Sequence, residues 1–392
     1  MDKRADSRAL GLPETAGARI TIIVPALGAG GTEHIVNLIA NHWNSIGQTV
    51  TLITLEPSDA QPYYNFHPEI AVVRLGVPPR RASKLRSAFL VLQRFRRLRS
   101  AIRRSQPDFV LSFLTRTNVL TLLATIGFAV PVVISERNNP ASQPLGLFWK
   151  WLRTRLYPRA FGLVTMTQGA LDHFPSNIRR NGWVIANPVD LPRNWQNRRG
   201  KHILAAVGRL THQKGFDLLL NAFSRIANAH PEWHLVIWGE GDERRSLEAL
   251  RDALGLQKCV DMPGITERPG LWVETADAFV LSSRYEGWGI VLLEAMAAGL
   301  PVVSFECEWG PRVMITHESD GILVPREDVG ALAQALDRIL ADPGLREQLG
   351  ARAAASAQRY MPEQILAEWD GLVSCVLKQA PKIHSQMPDN AA

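Results

Sequence analysis

The 392-residue chain is poor in cysteine and has no apolar run long enough to span a lipid bilayer. Its three cysteines are scattered and odd in number, which argues against a disulfide framework and indicates a reducing compartment. The longest apolar stretch, 119–134, is interrupted by Gly127 and Pro131 and predicts a buried helix followed by a strand. Residues 1–18 are polar and carry both charge signs, unlike a signal peptide. We therefore expect a cytoplasmic protein.

Acidic residues are absent from 70–107, although this segment holds eleven basic ones. Its apolar residues recur at three- and four-residue steps, which predicts a helix with an apolar stripe beside a basic flank. A second basic segment, 145–159, contains Trp149 and Trp151, whose rings suit a lipid interface. We predict that the basic helices near 80–104 and 145–159 bind an anionic membrane surface. The alternative is that both helices pack on a sheet with solvated arginines; nucleic acid is not an expected partner, because no recognition motif for it appears.

Strand-like and helix-like segments alternate along the chain, which is the pattern of parallel sheets with right-handed crossovers. The strand candidates are 19–24, 49–55, 70–74, 108–113, 131–135, 162–166, 182–185, 202–207, 233–238, 258–261, 277–281, 301–305 and 321–323. At this length, and with 46% apolar residues, two domains are expected. We predict an α/β fold of two Rossmann-like doubly wound domains facing across a cleft, with a ligand at the carboxyl ends of the strands.

A segment rich in Pro, Asn and Arg marks the boundary between the two predicted domains. The predicted divisions are a disordered tail (1–18), an N-terminal domain (19–187), a linker (188–201), a C-terminal domain (202–361), a C-terminal helix (362–378) and a second disordered tail (379–392).

The most informative stretch is SRYEGWGIVLLEAMAAGLPVVSF, in which Glu286 and Glu294 stand eight residues apart. The apolar pattern predicts a strand, a loop and then a helix. Gly287 and Gly289 leave backbone N–H groups free to approach an anion at the helix N-terminus. Two acids around such a site suit a sugar nucleotide, with its diphosphate on the amides and its hydroxyl groups on the carboxylates. The alternative is an ordinary corner with two solvated glutamates.

A second stretch, LAAVGRLTHQKGFDLLLNAF, predicts a strand, a sharp turn at Gly208 and a helix over 215–227. Arg209 and Lys214 flank the start of this helix, where their charges and the helix dipole converge. Such a pair can neutralise a departing diphosphate without a metal. The sequence has no Asp-x-Asp pattern and no His/Cys cluster with ligand spacing. We therefore expect neither a metal nor a cofactor.

Together, GRLTHQKGFDLL and EGWGIVLLEAMAAGLPVV resemble the nucleotide-binding half of a GT-B glycosyltransferase of the large retaining family 4. RITIIVPAL, GAGGTEHIVNLI and VVISERNNP agree with its N-terminal half. SERNNP and SFECEWGPR are most similar to bacterial members that build exopolysaccharide, lipopolysaccharide or lipid-linked oligosaccharides. The resemblance runs from about Arg19 to Val376. It implies an acceptor-binding N-terminal domain, a nucleotide-sugar-binding C-terminal domain and a last helix that returns to the N-terminal domain.

The resemblance implies that an acceptor hydroxyl attacks from the face that the diphosphate leaves, with Arg209, Lys214 and Glu286 as catalytic residues. Glu286 would accept hydrogen bonds from the transferred sugar, and Glu294 from the ribose. The donor-binding residues by this resemblance are Gly30, Gly31, Gly208, Arg209, Lys214, Gly287, Trp288, Gly289, Ile290 and Glu294.

The acceptor side departs from the family pattern. Many members place a histidine after the strand that here reads DFVLSFL, where this chain has Thr115-Arg116-Thr117-Asn118. Arg116 is a candidate to stabilise a phosphate, and Asn118 is a candidate to orient the acceptor. His34 is a candidate substitute for the histidine, with a purely structural role as the alternative.

These observations predict a retaining, metal-independent transferase, peripheral on the inner face of the plasma membrane. It would move a hexose or N-acetylhexosamine from a UDP-sugar to a polyprenyl-diphosphate-linked glycan in bacterial surface polysaccharide synthesis. The alternatives are a lipopolysaccharide core, glycerolipid or soluble acceptor, and a non-catalytic subunit that binds nucleotide sugars.

Overall fold

The computed structural model describes residues 17–28, 30–77, 84–138, 145–189, 191, 195–196, 198, 200–267 and 270–379, with 84–89 described by their backbone alone. The predicted tails, apart from 17–18 and 379, lie outside the described residues, as do parts of the predicted linker and of both basic segments. The chain divides into two compact units. Unit 1 comprises the described residues up to Ile185 together with those from Ile365 onward, and unit 2 comprises those of Ala186–Gln364.

Thirteen strands are found among the described residues, seven in unit 1 and six in unit 2. They are β1 (Arg19–Val24), β2 (Thr49–Thr54), β3 (Ala71–Arg74), β4 (Phe109–Phe113), β5 (Val132–Ser135), β6 (Gly162–Thr165), β7 (Gly182–Val184), β8 (Ile203–Val207), β9 (His234–Trp238), β10 (Val260–Gly264), β11 (Ala278–Leu281), β12 (Val302–Phe305) and β13 (Ile322–Val324). Every predicted strand overlaps one of them, and the bounds differ by no more than three residues.

All strand pairs are parallel. Unit 1 has the order β3-β2-β1-β4-β5-β6-β7, and unit 2 has the order β10-β9-β8-β11-β12-β13. Counted from its own first strand, each sheet contains the 3-2-1-4-5-6 order of a Rossmann fold. The inner strands β4, β5, β11 and β12 are buried along their whole length, because helices cover both faces of a parallel sheet. The predicted pair of doubly wound α/β domains is confirmed.

The described residues form twelve α-helices. They are α1 (Gly31–Ser45), α2 (Lys84–Ser105), α3 (Thr115–Ala124), α4 (Leu147–Leu156), α5 (Gln168–Asp172), α6 (Phe216–Ser224), α7 (Arg244–Ala253), α8 (Ile290–Ala297), α9 (Pro311–Met314), α10 (Val329–Ala341), α11 (Pro343–Ala357) and α12 (Pro362–Gln379). In unit 1, α3 packs against both α2 and α4, so the two basic helices belong to the same layer. None of these helices combines the length and the apolar content that a membrane span needs.

Helix α12 is anchored in unit 1 by Trp369, whose side chain is completely buried. Its indole packs edge-on against Trp43 of α1, with the ring centroids 6.3 Å apart. The neighbouring Asp370 accepts a hydrogen bond from the Trp43 indole at 3.0 Å and contacts the His42 ring nitrogen at 2.8 Å. The last helix of the chain therefore completes the core of the first unit.

Candidate active site

Two loops of unit 2 begin at the carboxyl ends of neighbouring strands, one after β8 and the other after β11. Hydrogen bonds join them directly. The Arg284 amide donates to the Gln213 carbonyl at 2.8 Å, the Gln213 side chain donates to the Tyr285 carbonyl at 3.1 Å, and the Ser282 hydroxyl donates to the Lys214 carbonyl at 3.0 Å. The two motifs of the sequence therefore meet at one edge of the sheet, where doubly wound folds bind their ligands.

Lys214 and Glu286 form an ion pair at the centre of this edge. The Lys214 ammonium lies 2.6 Å from Glu286 Oε1, and the Ser283 hydroxyl donates to the same oxygen at 2.6 Å. Glu286 is only 6% exposed. A buried ion pair is stable only where further hydrogen bonds complete its geometry, and Ser283 supplies one here. The sequence pattern placed both residues at the donor but did not reveal this contact between them.

Two glycines lie where the loops approach most closely, and the backbone requires glycine at one of them, Gly215. Gly215 has a left-handed φ of +63°, and a β-carbon there would collide with the carbonyl oxygen of Ser282. At Gly208, a β-carbon would lie 3.0 Å from Lys214 Cε, so its absence lets the lysine stem cross the turn. Gly215 also separates a 3-10 turn, His212–Lys214, from α6. The helix is shorter than the predicted 215–227: α6 begins at Phe216 and ends at Ser224, and turns follow it.

Arg284 fixes the 3-10 turn that carries Lys214, a role that the sequence pattern did not reveal. Its guanidinium makes two hydrogen bonds to the Asp217 carboxylate, at 2.9 and 2.7 Å, and donates to the His212 carbonyl at 2.8 Å. Partial burial alone would raise the pKa of Asp217, but the hydrogen bonds and the charge of Arg284 outweigh it and lower that pKa. The planar guanidinium suits this paired geometry better than lysine would.

The second glutamate of the motif lies on α8 and is also buried. Glu294 Oε2 accepts a hydrogen bond from the Trp272 indole at 3.1 Å, a partner that only the tertiary structure reveals. Gly289 precedes the helix with φ +94°, and Ile290 is its first residue. Trp288 is buried and packs edge-on against Tyr360 at 5.2 Å, and its indole nitrogen has no hydrogen-bond partner among the described residues. Because α8 begins at Ile290, the amides from Gly287 to Ile290 lie at its N-terminus, where the sequence predicts an anion site.

Arg209 differs from Lys214 in its surroundings. Its side chain is exposed, and within the part of the chain that the structure describes it forms no ion pair. Of the two predicted cations, Lys214 is therefore fixed in an ion pair, whereas Arg209 is exposed and forms none among the described residues. An exposed guanidinium without an ion pair remains available to an incoming anion.

The acceptor-side candidate Asn118 is completely buried in unit 1. Its amide nitrogen donates to the Ser135 carbonyl at 3.0 Å and lies 3.5 Å from the Glu136 carboxylate. Glu136 also accepts hydrogen bonds from Tyr157 and, at 2.8 Å, from Thr115. Burial raises the pKa of Glu136, although these hydrogen bonds oppose the shift. Asn118 thus belongs to a buried polar cluster that sequence reasoning did not find.

The other unit 1 candidates lie at or near its surface. Arg116 is exposed, with its guanidinium 5.8 Å from the centre of the Trp149 ring. His34 is half-buried and stacks on Tyr64 at 5.2 Å. Gly30 caps α1 and Gly31 is its first residue; the Glu33 carboxylate folds back over Gly30 so closely that a β-carbon there would collide with it.

Within the described ranges, no three His, Cys, Asp or Glu side chains come together as a metal site would require.

Two family descriptions match the chain: "Glycosyl transferase 4-like domain" over residues 30–190 and "Glycosyl transferases group 1" over residues 190–356. Together they span residues 30–356, which leaves β1 and α12 outside the matched range.

The chain belongs to the GT-B glycosyltransferases of family 4. This glycosyltransferase is 26% identical over 364 residues to a protein of Campylobacter jejuni, GalNAc-alpha-(1->4)-GalNAc-alpha-(1->3)-diNAcBac-PP-undecaprenol alpha-1,4-N-acetyl-D-galactosaminyltransferase. The match covers 91% of the chain and 98% of that relative. The family assignment confirms the resemblance drawn from the two motifs, and with it a transferase activity.

Two solved structures share the fold of the glycosyltransferase. Sucrose-phosphate synthase from Thermosynechococcus elongatus matches with a TM-score of 0.78 at 19% identity, covering 92% of this chain and 99% of its own. HepE from Anabaena, solved in complex with UDP and glucose, matches with a TM-score of 0.74 at 17% identity, covering 91% and 99%. At these identities the likeness concerns the fold alone.

Proposed function

We propose that this glycosyltransferase moves a hexose or N-acetylhexosamine from a UDP-sugar to a polyprenyl-diphosphate-linked glycan in bacterial surface polysaccharide synthesis. The donor part of this proposal rests on one observation, the ion pair of Lys214 and Glu286 in the loops next to the first residues of α8. HepE, which shares the fold, was solved with UDP and glucose. The acceptor class follows the Campylobacter relative, whose name specifies an undecaprenol-linked glycan.

The transfer proceeds with retention and without a metal. The acceptor hydroxyl attacks the anomeric carbon from the face that the diphosphate leaves, the bond from that carbon to the phosphate oxygen breaks, and the departing oxygen takes the hydroxyl proton. Negative charge builds on the leaving diphosphate, where Lys214, Arg209 and the Gly287–Ile290 amides stabilise it. Because Glu286, which is itself held by the Ser283 hydroxyl, already fixes Lys214, little reorganisation is needed as that charge develops.

The two glutamates define the rest of the donor site. Glu294, fixed by Trp272, accepts hydrogen bonds from the ribose hydroxyls. Glu286 accepts from hydroxyls of the transferred sugar while it holds Lys214. In unit 1, we assign the Gly31 amide to the donor phosphates, because the Gly30 amide already donates to the Gly28 carbonyl at 3.1 Å. We assign Arg116 and His34 to the acceptor.

We place the enzyme at the inner face of the plasma membrane, bound through α4 and α2. Helix α4 exposes Leu147, Phe148 and Trp151 by 86%, 59% and 55%, with the exposed Lys150 between them. Neighbouring apolar and cationic side chains in one short helix fit the interface of an anionic bilayer. In α2, Leu92 is exposed instead of joining the predicted buried stripe, while Leu98 and Ile102 are buried.

Three α2 arginines bind backbone carbonyls of unit 1, so we leave them out of the proposed membrane contact. Arg94 donates to the Val77 carbonyl at 3.0 Å, Arg97 to the Leu75 carbonyl at 2.6 Å, and Arg99 to the Ala124 carbonyl at 2.6 Å. These three guanidinium groups contribute to the packing of α2. The exposed Arg96, Arg103 and Arg104 make no such bond among the described residues, so membrane attraction is assigned to them.

A donor screen tests the proposal. Purified protein is assayed by thermal shift and slow hydrolysis against a panel of nucleotide sugars with EDTA present. We expect one UDP-sugar to stabilise the protein and to be hydrolysed, because a site that binds only the folded state raises its stability. Stabilisation without turnover, even with polyprenyl-diphosphate glycans added, would favour a binding subunit. No response to any donor would overturn the proposed site.

A further inference from the structure

A groove in unit 1 is lined by four arginines and is separate from the donor site of unit 2. It lies between β3, the edge strand of the sheet, and the C-terminal half of α2, and encloses about 400 Å³. Arg74 comes from the strand, Arg96, Arg97 and Arg104 come from the helix, and Ser100 adds a hydroxyl group. Their spacing along α2 places the three helical arginines within about two turns of each other.

No carboxylate in the described part of the chain pairs with the arginines of this groove. None of its lining residues is Asp or Glu, and none of the four guanidinium groups forms an ion pair within the described residues. The sequence extends this finding, because no acid occurs anywhere between residues 70 and 107. Other exposed arginines of this chain do find carboxylates, such as Arg338 with Glu318 at 2.6 Å.

One of these arginines has a buried donor that the described residues leave unpaired. Arg74 Nε is inaccessible to solvent and has no hydrogen-bond acceptor among the residues that the structure describes. A buried N–H group without an acceptor is costly, so such groups are rare unless a ligand or water completes them. Arg97 is held in place by its bond to the Leu75 carbonyl, which leaves its remaining N–H groups to the groove.

We infer that this groove binds a phosphate-bearing anion. Guanidinium groups pair with phosphate oxygens through two parallel hydrogen bonds, and several arginines on one concave surface match a group with three or more oxygens. The shared chemistry is a phosphate or diphosphate, either free in solution or carried as the headgroup of a lipid. The inference rests on unit 1 alone and does not require the proposed donor site.

The test compares two double variants with the same net charge. Arg96→Gln with Arg104→Gln removes two groove cations, whereas Arg180→Gln with Arg245→Gln removes two exposed cations outside both the groove and the proposed membrane contact. Pyrophosphate is titrated by calorimetry in low salt, with saturating UDP present to fill the proposed donor site. Phenylglyoxal labelling followed by mass spectrometry then locates the protected arginines, and thermal unfolding verifies that both variants fold.

We expect pyrophosphate binding to weaken about tenfold or more in the groove variant and less than about twofold in the control. Pyrophosphate should also slow labelling of Arg96 and Arg104 but not of Arg180. Vesicles of phosphatidic acid, against neutral phosphatidylcholine, form the second arm. Groove-dependent binding of these vesicles without pyrophosphate binding would assign the ligand to a lipid headgroup. Equal losses in both variants, or no loss with either probe, would overturn the inference.

Discussion

At the scale of single residues, the site depends on a lysine and a glutamate that are distant in the chain. Lys214 and Glu286 meet because β8 and β11 are neighbours in the sheet, although 72 residues separate them. The sequence motifs identified both side chains as members of one site. Their mutual contact depends on the loop geometry, which Ser282, Ser283 and Gln213 fix through hydrogen bonds.

Replacing Lys214 by Ala should lower kcat/KM by about 10²–10³-fold, since it removes charge stabilisation from the leaving diphosphate. The exposed Lys201→Ala variant is the matched control and should behave like the wild type. The measurement is steady-state transfer from the UDP-sugar found in the screen, with thermal unfolding to verify the fold. An unchanged kcat/KM for Lys214→Ala would remove the leaving-group role from this residue.

Alanine substitutions at two glycines with similar φ angles can separate the cost of a steric collision from the cost of backbone strain. Gly215 and Gly255 have φ values of +63° and +71°, but only Gly215 has a backbone carbonyl where the β-carbon would go. Gly255→Ala should cost about 1 kcal/mol, from strain alone. Gly215→Ala should cost at least about 2–3 kcal/mol, because the Lys214 and Glu286 loops must also separate. Urea unfolding measures both, and equal losses would mean that the loops readily move apart.

Cys307 lies near Glu286, and the rate at which its thiol is alkylated reports how tightly this region is packed. Burial, followed by the nearby Glu286 charge, raises the pKa of its thiol to about 12. The thiolate is the reactive form, so at about pH 8 alkylation should be roughly 10³-fold slower than for an ordinary cysteine. Mass spectrometry of iodoacetamide-treated protein should show slow labelling of Cys307 in the native state and fast labelling in urea. Rapid native labelling would show that the site opens freely.

At the scale of secondary-structure elements, α4 is unusual because three of its apolar residues are exposed, although Trp149 and Leu152 pack against the unit 1 core. Leu156 is its one fully buried residue, whereas Leu147, Phe148 and Trp151 are exposed. The sequence indicated a lipid-facing segment from the combination of tryptophans and basic residues. Which side chains are exposed could not be predicted, because this depends on how α4 packs against α3.

Phe148→Ser combined with Trp151→Ser should weaken binding to anionic vesicles by about tenfold or more, since each exposed aromatic contributes interfacial area. Ile265→Ser with Val313→Ser removes two exposed apolar side chains from unit 2 and is the control. Vesicle co-sedimentation provides the measurement. If the two double variants sediment alike, α4 is not the membrane contact.

At the scale of the whole molecule, α12 joins the end of the chain to the core of unit 1. Trp369→Ala should destabilise the protein by about 3–5 kcal/mol, because it leaves a large cavity among Trp43, Phe113 and the sheet. Trp151→Ala removes the same side chain from an exposed position and should change stability by less than about 0.5 kcal/mol. Urea unfolding followed by circular dichroism compares them. A small effect of Trp369→Ala would mean that α12 is only loosely attached.

The sequence by itself determined the two parallel sheets, the order of their elements and the two motifs that identify the glycosyltransferase family. These follow from local patterns: apolar runs of strand length, glycine turns and charged residues at fixed spacing. Only the tertiary structure decided the Lys214–Glu286 contact, the Trp272–Glu294 bond, the burial of Asn118 beside Glu136, and the division of the α2 arginines into packing and open groups. Each of these joins residues distant in the chain, so its geometry depends on strand neighbours and loop packing, which a single sequence does not encode locally.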